Sequence, residues 1–96
     1  MKGQESIENR IRRKREEYGY KQSDLALLLG HGCSSQVSSY ERGQILPDPE
    51  NLLKLCYILN ALPEWLYPEI TEKWKREIEN AKKNLKKLTS HERREN

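Results

Sequence analysis

Residues 30–43 read GHGCSSQVSSYERG. Two glycines open the stretch and a third closes it. Between them Val37 and Tyr40 stand three apart, the spacing of neighbours on one side of a helix, and the remaining positions are short and polar. The stretch reads as a turn followed by a short helix that starts at Cys33 or Ser34 and is stopped by Gly43. Val37 and Tyr40 form its inner side. Ser34, Ser35, Gln36 and Ser39 form its outer side, and no Lys or Arg occurs before Arg42.

Working outward, helical spacing continues in both directions. Lys21-Gln22-Ser23-Asp24 opens a helix whose apolar content is Leu25, Ala26, Leu28 and Leu29, broken by Gly30 and Gly32. Before it, Ile7, Ile11 and Tyr18 suggest one face of a first helix, stopped by Gly19. After it, Pro47 and Pro49 bracket a new start, because proline is tolerated where the first helical N–H groups have no partner. Leu52, Leu55, Cys56 and Leu59 then form an apolar stripe. Pro63-Glu64-Trp65-Leu66 gives one more short turn of helix. From Glu69 to about Leu88 there is no Gly or Pro, Lys and Glu abound, and a single apolar seam runs along one long helix. The polar stretch from Thr89 to Asn96 is expected to fray. No segment alternates with period two, so the fold class is all-α. The organisation expected is a five-helix unit over residues 1–67 and a C-terminal amphipathic helix with a basic end over 68–96.

Composition narrows the function. The net charge of +3 lies wholly in the last third: residues 1–67 carry nine Lys/Arg against nine Asp/Glu, and residues 68–96 carry nine against six. Mild basicity fits a nucleic-acid partner. There is no apolar run of transmembrane length and no secretory signal pattern at MKGQESIENR. The two cysteines, Cys33 and Cys56, do not read as a disulfide and have no metal-ligand spacing. The reducing cytoplasm is the simplest compartment. No His–carboxylate or Cys–His constellation and no phosphate loop supports an enzyme, and no cofactor or metal is implied.

Two helices joined by a glycine turn form a helix-turn-helix arrangement. The major groove of DNA is about 12 Å wide and admits one helix, while the preceding helix braces it. Such a device needs apolar contacts inside both helices, met by Leu25, Ala26, Leu29, Val37 and Tyr40, with Ala26 small enough for close approach. It needs short or polar residues outside the second helix, met by Ser34, Ser35, Gln36 and Ser39. Serine discriminates bases weakly, whereas Gln36 can pair with adenine, so base reading rests mainly on Gln36 and on DNA shape. Electrostatic grip must come from elsewhere, from Lys21, Arg42 and the basic tail.

In these residues the chain resembles the Cro/phage-repressor type of helix-turn-helix domain, also called the XRE type. The resemblance covers residues 7–66. It is carried by Ile11, Arg15-Glu16-Glu17, Gly19, Gln22, Leu25-Ala26 and Gly30, then by Val37-Ser38, Tyr40-Glu41-Arg42-Gly43, Pro47, Leu52, Leu55, Leu59 and Leu66. It implies a compact five-helix bundle that binds double-stranded operator DNA, usually as a dimer, and a bacterial or phage origin. It implies a phosphate contact for Gln22 and groove-facing positions for Ser34, Ser35, Gln36 and Ser39. Arg15 and Glu41 match an internal salt bridge, and Arg42 and Gly43 enter a loop that touches the DNA backbone. Two departures stand out: the turn is one residue longer, at His31-Gly32, and Gln44-Ile45-Leu46 lacks the basic residues common in that loop.

The tail carries its own pattern. Trp74, Ile78, Ala81, Leu85 and Leu88 are spaced 4-3-4-3, a heptad seam with Glu77 at a g position and Lys82 at the following e position. Self-association, packing onto the chain's own core near Trp65, and capture of a partner protein all use such a seam. The function expected is a sequence-specific DNA-binding transcriptional regulator, a repressor acting as a homodimer. The alternative is an antitoxin or interaction module whose C-terminal helix binds another protein.

Overall fold

The computed structural model describes residues 6–89, and the described residues form six helices and no strand. They are α1 (Ile11–Glu17), α2 (Gln22–Leu29), α3 (Ser35–Glu41), α4 (Pro49–Leu59), α5 (Pro63–Leu66) and α6 (Pro68–Thr89). The fold is therefore all-α, five helices followed by a long C-terminal one. The fraying basic end lies outside the described residues apart from Thr89, the last residue of α6.

Local chemistry sets the helix ends. Gly30 caps α2 in the left-handed region at φ 86°, and Asn60 does the same for α4 at φ 51°. Asp24 reaches back to the Lys21 backbone N–H at 2.8 Å and closes the start of α2. The Asp48 carboxylate accepts the Asn51 N–H at 2.9 Å, with Pro49 in the first helical position of α4.

One core joins the first five helices. Ile11, Leu25, Ala26, Leu29, Val37, Tyr40, Leu55, Leu59, Leu66 and Tyr67 are buried together. Each helix contributes only one to three of these side chains, so no helix could hold its shape without the others. The α2–α3 contact depends on Ala26, which is 2% exposed.

Two local expectations are corrected. Ile7 is not on the first helix, which begins at Ile11: its N–H donates to the Gly43 carbonyl at 2.9 Å, and the Arg10 N–H donates to the Leu66 carbonyl at 2.8 Å. The first bond ties Ile7 to the end of α3, and the second takes the Arg10 N–H that a helix starting at Ile7 would have given to the carbonyl four residues back. Tyr18 is exposed and stacks on Tyr20 with ring centroids 6.0 Å apart, outside the core. The inner side expected for α2 is the one observed: Leu25, Ala26 and Leu29 are buried, and Leu28 lies beside Leu27 at the surface.

The long helix α6 spans roughly 33 Å at 1.5 Å per residue. Its first turn packs on the body, where Ile70 and Thr71 are half-buried, and every residue from Glu72 to Lys87 is in the exposed class. The seam side chains Trp74, Ile78 and Leu85 are exposed in the single chain, with Trp74 bordering a groove shared with Leu46, Pro47 and Leu52. Trp65 is covered instead by cations of the first segment, with the Arg10 guanidinium 4.6 Å and the Lys14 ammonium 5.1 Å from its ring centre.

Candidate nucleic-acid interface

The site is built on α3 and the ends of its neighbours. Ser35, Ser39 and Arg42 are four and three residues apart and lie along one face, with Gln36 beside them. Val37 and Tyr40 lie on the opposite face and are buried against α1, α2 and α4. Burial thus fixes the rotation of α3 and turns its polar side outward. Ser35 and Gln36 are exposed, and Ser34 and Ser39 are half-buried. Ser34 is the residue before the first turn of α3, so the helix begins one position after it.

The turn that precedes α3 is closed from α2. The His31 N–H donates to the Ala26 carbonyl at 2.9 Å, completing the glycine cap. Cys33 is exposed and lies 3.2 Å from the Ser35 hydroxyl. That hydrogen bond lowers the Cys33 thiol below its ordinary value.

Arg15, Glu41 and Gln22 form one network beneath the polar face. The Arg15 Nε and Nη2 donate to the two Glu41 oxygens at 2.6 and 3.1 Å, and Nη1 donates to the Tyr20 carbonyl at 2.9 Å. The ion-pair side chains are 9% and 4% exposed. The Gln22 Nε2 donates to the Glu41 Oε1 at 2.9 Å. Three elements are thereby tied at one carboxylate: α1 through Arg15, α2 through Gln22 and α3 through Glu41 itself. An amide nitrogen carries two N–H groups, so Gln22 retains a second donor at the start of α2.

Lys21 is exposed at the same end of α2. Arg42 is exposed at the far end of the α3 stripe, where it donates to the Ser38 hydroxyl at 2.7 Å and to the Gln44 side-chain oxygen at 3.2 Å. The sequence reading left out Ser38 and Gln44 as partners that aim Arg42. The i,i+4 spacing of Ser38 and Arg42 was the available signal. It also left out Asn9, whose Nδ2 donates to the Tyr40 carbonyl at 2.9 Å and whose Oδ1 accepts the Ile11 N–H at 3.1 Å, fastening the chain start to the end of α3. No local pattern announces that role.

A family model described as helix-turn-helix matches residues 11–66, more than half of the chain. The chain belongs to the XRE-type helix-turn-helix family. As a member of that helix-turn-helix family it is a DNA-binding protein of the transcription-regulator kind. No curated protein matches it. The matched stretch holds every helix of the buried core and ends where α6 begins. In this helix-turn-helix protein the seam residues Trp74, Ile78, Ala81 and Leu85 stand beyond the matched stretch and are exposed on α6. The side chain of Leu88 lies outside the described residues. No helix among the described residues is long and apolar enough to cross a membrane, and none of their His, Cys, Asp and Glu residues group into a metal site.

Proposed function

We propose that this protein is a sequence-specific transcriptional regulator, a repressor, that binds double-stranded DNA as a homodimer with α3 in the major groove. The observation that carries this reading is the polar stripe of Ser35, Ser39 and Arg42 with Gln36 at its side, held outward by the burial of Val37 and Tyr40. In the proposed pose Gln36 reads a base edge, the Ser34, Ser35 and Ser39 hydroxyls contact bases or phosphates, and Lys21, Gln22 and Arg42 hold phosphates on either side. The compartment is the reducing cytoplasm of a bacterial or phage-infected cell, consistent with two free cysteines.

The test selects the preferred site from random duplexes and then compares variants on that site and on unrelated DNA. Gln36→Ala should lose roughly tenfold or more on the selected site, about 1–3 kcal/mol, with little change on unrelated DNA. Lys21→Ala should weaken both and make the slope of log K against log salt shallower by about one. Equal loss from Gln36→Ala on both DNAs would remove Gln36 as the base reader.

The exposed seam of α6 supports a second reading, in which a different protein covers that helix as an antitoxin's partner would. Isolation of the chain as a monomer together with one tightly bound small protein would favour it.

A further inference from the structure

We propose that the Tyr40 hydroxyl is a positioning group for Gln36, holding its amide from behind so that the amide meets a base edge in one fixed orientation. The inference rests on the reading of Gln36 as the base reader and names the residue that sets its specificity.

Tyr40 is anchored at both ends of its ring. It is 1% exposed and packs in the core with Ile11, Leu25, Val37 and Leu55. Its backbone carbonyl accepts the Asn9 Nδ2 at 2.9 Å. The hydroxyl at the far end of the ring is buried, yet it has no hydrogen bond of good geometry among the described residues. A buried hydroxyl in that state is costly, so it points to a partner that completes the bond when the protein is at work.

Gln36 stands one helical turn before Tyr40, at the i,i+4 spacing that brings side chains together on a helix. Asn51, in the first turn of α4, is 9% exposed. Burial, and then the Asp48 carboxylate, raise the Tyr40 hydroxyl above its ordinary value, while the Asn51 and Gln36 amides pull it down. An amide acts in that way only from hydrogen-bonding range, so both amides stand around the hydroxyl. A hydroxyl donates one hydrogen bond and accepts two, and Tyr40 can therefore hold Gln36 on one side and Asn51 on the other. The Tyr67 hydroxyl, also buried without a partner among the described residues, is raised by burial and then by Tyr40.

A DNA groove gives this arrangement its use. The torsion that turns a glutamine amide is broad, so the exposed Gln36 has no fixed amide plane of its own. Pairing with adenine needs the amide oxygen and nitrogen at the base edge together. Gln36 Oε1 has two lone pairs. One can accept from the Tyr40 hydroxyl and the other from the adenine amino group, while Nε2 donates to adenine N7. The bond that completes Tyr40 is then the bond that fixes Gln36.

The test uses the full chain and the DNA site selected from random duplexes. Binding is measured for wild type, Gln36→Ala, Tyr40→Phe and the double variant on that site, on the site with each base pair exchanged in turn, and on unrelated DNA. Tyr40→Phe keeps the ring and removes the hydroxyl, and a denaturant melt confirms that it folds. It should bind the selected site about three- to tenfold more weakly, the loss of one hydrogen bond, with unrelated DNA unchanged. Its base preference should relax at the same base pair as that of Gln36→Ala, and it should have no further effect in the Gln36→Ala background. Tyr67→Phe, which removes the neighbouring buried hydroxyl, should keep the wild-type preference. Full affinity and preference in Tyr40→Phe, beside a specific loss in Gln36→Ala, would overturn this proposal and leave the base reader in place. Equal loss by Tyr40→Phe on selected and unrelated DNA, or the same relaxation in Tyr67→Phe, would also overturn it, because either marks a general loosening of α3. Equal loss by Gln36→Ala on both DNAs would remove the base reader, and this proposal with it.

Discussion

Arg15 on α1 and Glu41 at the end of α3 meet through two parallel hydrogen bonds, 2.6 and 3.1 Å long, with both side chains almost wholly removed from water. The fork of a guanidinium matches the two oxygens of a carboxylate, so the pair fixes direction as well as distance. It holds the C-terminal end of α3 against the first helix, while Gln22 fastens the second helix to the same carboxylate. The device that orients the polar face of α3 is thus buried, and the face itself carries little charge.

Removing one partner of such a pair leaves the other buried and unmatched. Glu41→Leu should therefore cost about 3–5 kcal/mol, a large part of the stability of a small domain. Arg15→Met combined with Glu41→Leu should cost less than Glu41→Leu alone, because no orphan charge is left behind. Denaturant melts of wild type, both single variants and the double complete the cycle. A double variant whose loss equals the sum of the singles would mean that the two side chains do not act as a unit.

Gly43 predicts a second contrast. It has φ 72°, and a Cβ there would collide with the backbone carbonyl and amide of Ile7. Gly19 has φ 77° but open space around it. Gly19→Ala should cost about 1–2 kcal/mol from the left-handed backbone alone. Gly43→Ala should cost more, and should also release the Ile7–Gly43 hydrogen bond, seen as faster amide exchange at Ile7. Equal losses at the two glycines would show that residues 6–10 yield without cost and do not brace α3.

The contrast between these two glycines bears on what the sequence could reveal. Both read as helix stops, which is correct, but only the folded chain brings Ile7 against Gly43, thirty-six residues away. For the same reason helical spacing alone overextends the first helix: Ile7 and Ile11 stand four apart, yet the N–H groups of Ile7 and Arg10 bond to the distant carbonyls of Gly43 and Leu66. The turn before α3, the outward serines and Gln36, the proline start of α4 and the long α6 were legible because glycine, proline and apolar spacing act locally. The engagement of Gln22 by Glu41 was not, since it joins residues nineteen apart. The seam of α6 was readable as a pattern. Its lack of cover in the single chain was not, because that depends on where the body ends.

The two cysteines offer a test of the DNA face that needs no substitution. Thiolate is the reactive form, so reactivity follows thiol acidity and access. The Ser35 hydroxyl lowers the Cys33 thiol, which is exposed at the turn before α3, whereas burial, with Glu64 adding to it, raises the Cys56 thiol on α4. As pH rises, Cys33 should therefore be alkylated at a lower pH than an ordinary thiol, and Cys56 at a higher one. Mass spectrometry of peptides after brief iodoacetamide treatment would follow both in one sample, with Cys56 as the internal reference. Adding the selected DNA site should slow Cys33 several-fold and leave Cys56 unchanged, because Cys33 lies one residue before the cap of α3, the helix proposed to enter the groove. If Cys33 reacted at the same rate with and without saturating DNA, while binding was confirmed in parallel, the N-terminal end of α3 would not be the part of the protein that meets the duplex.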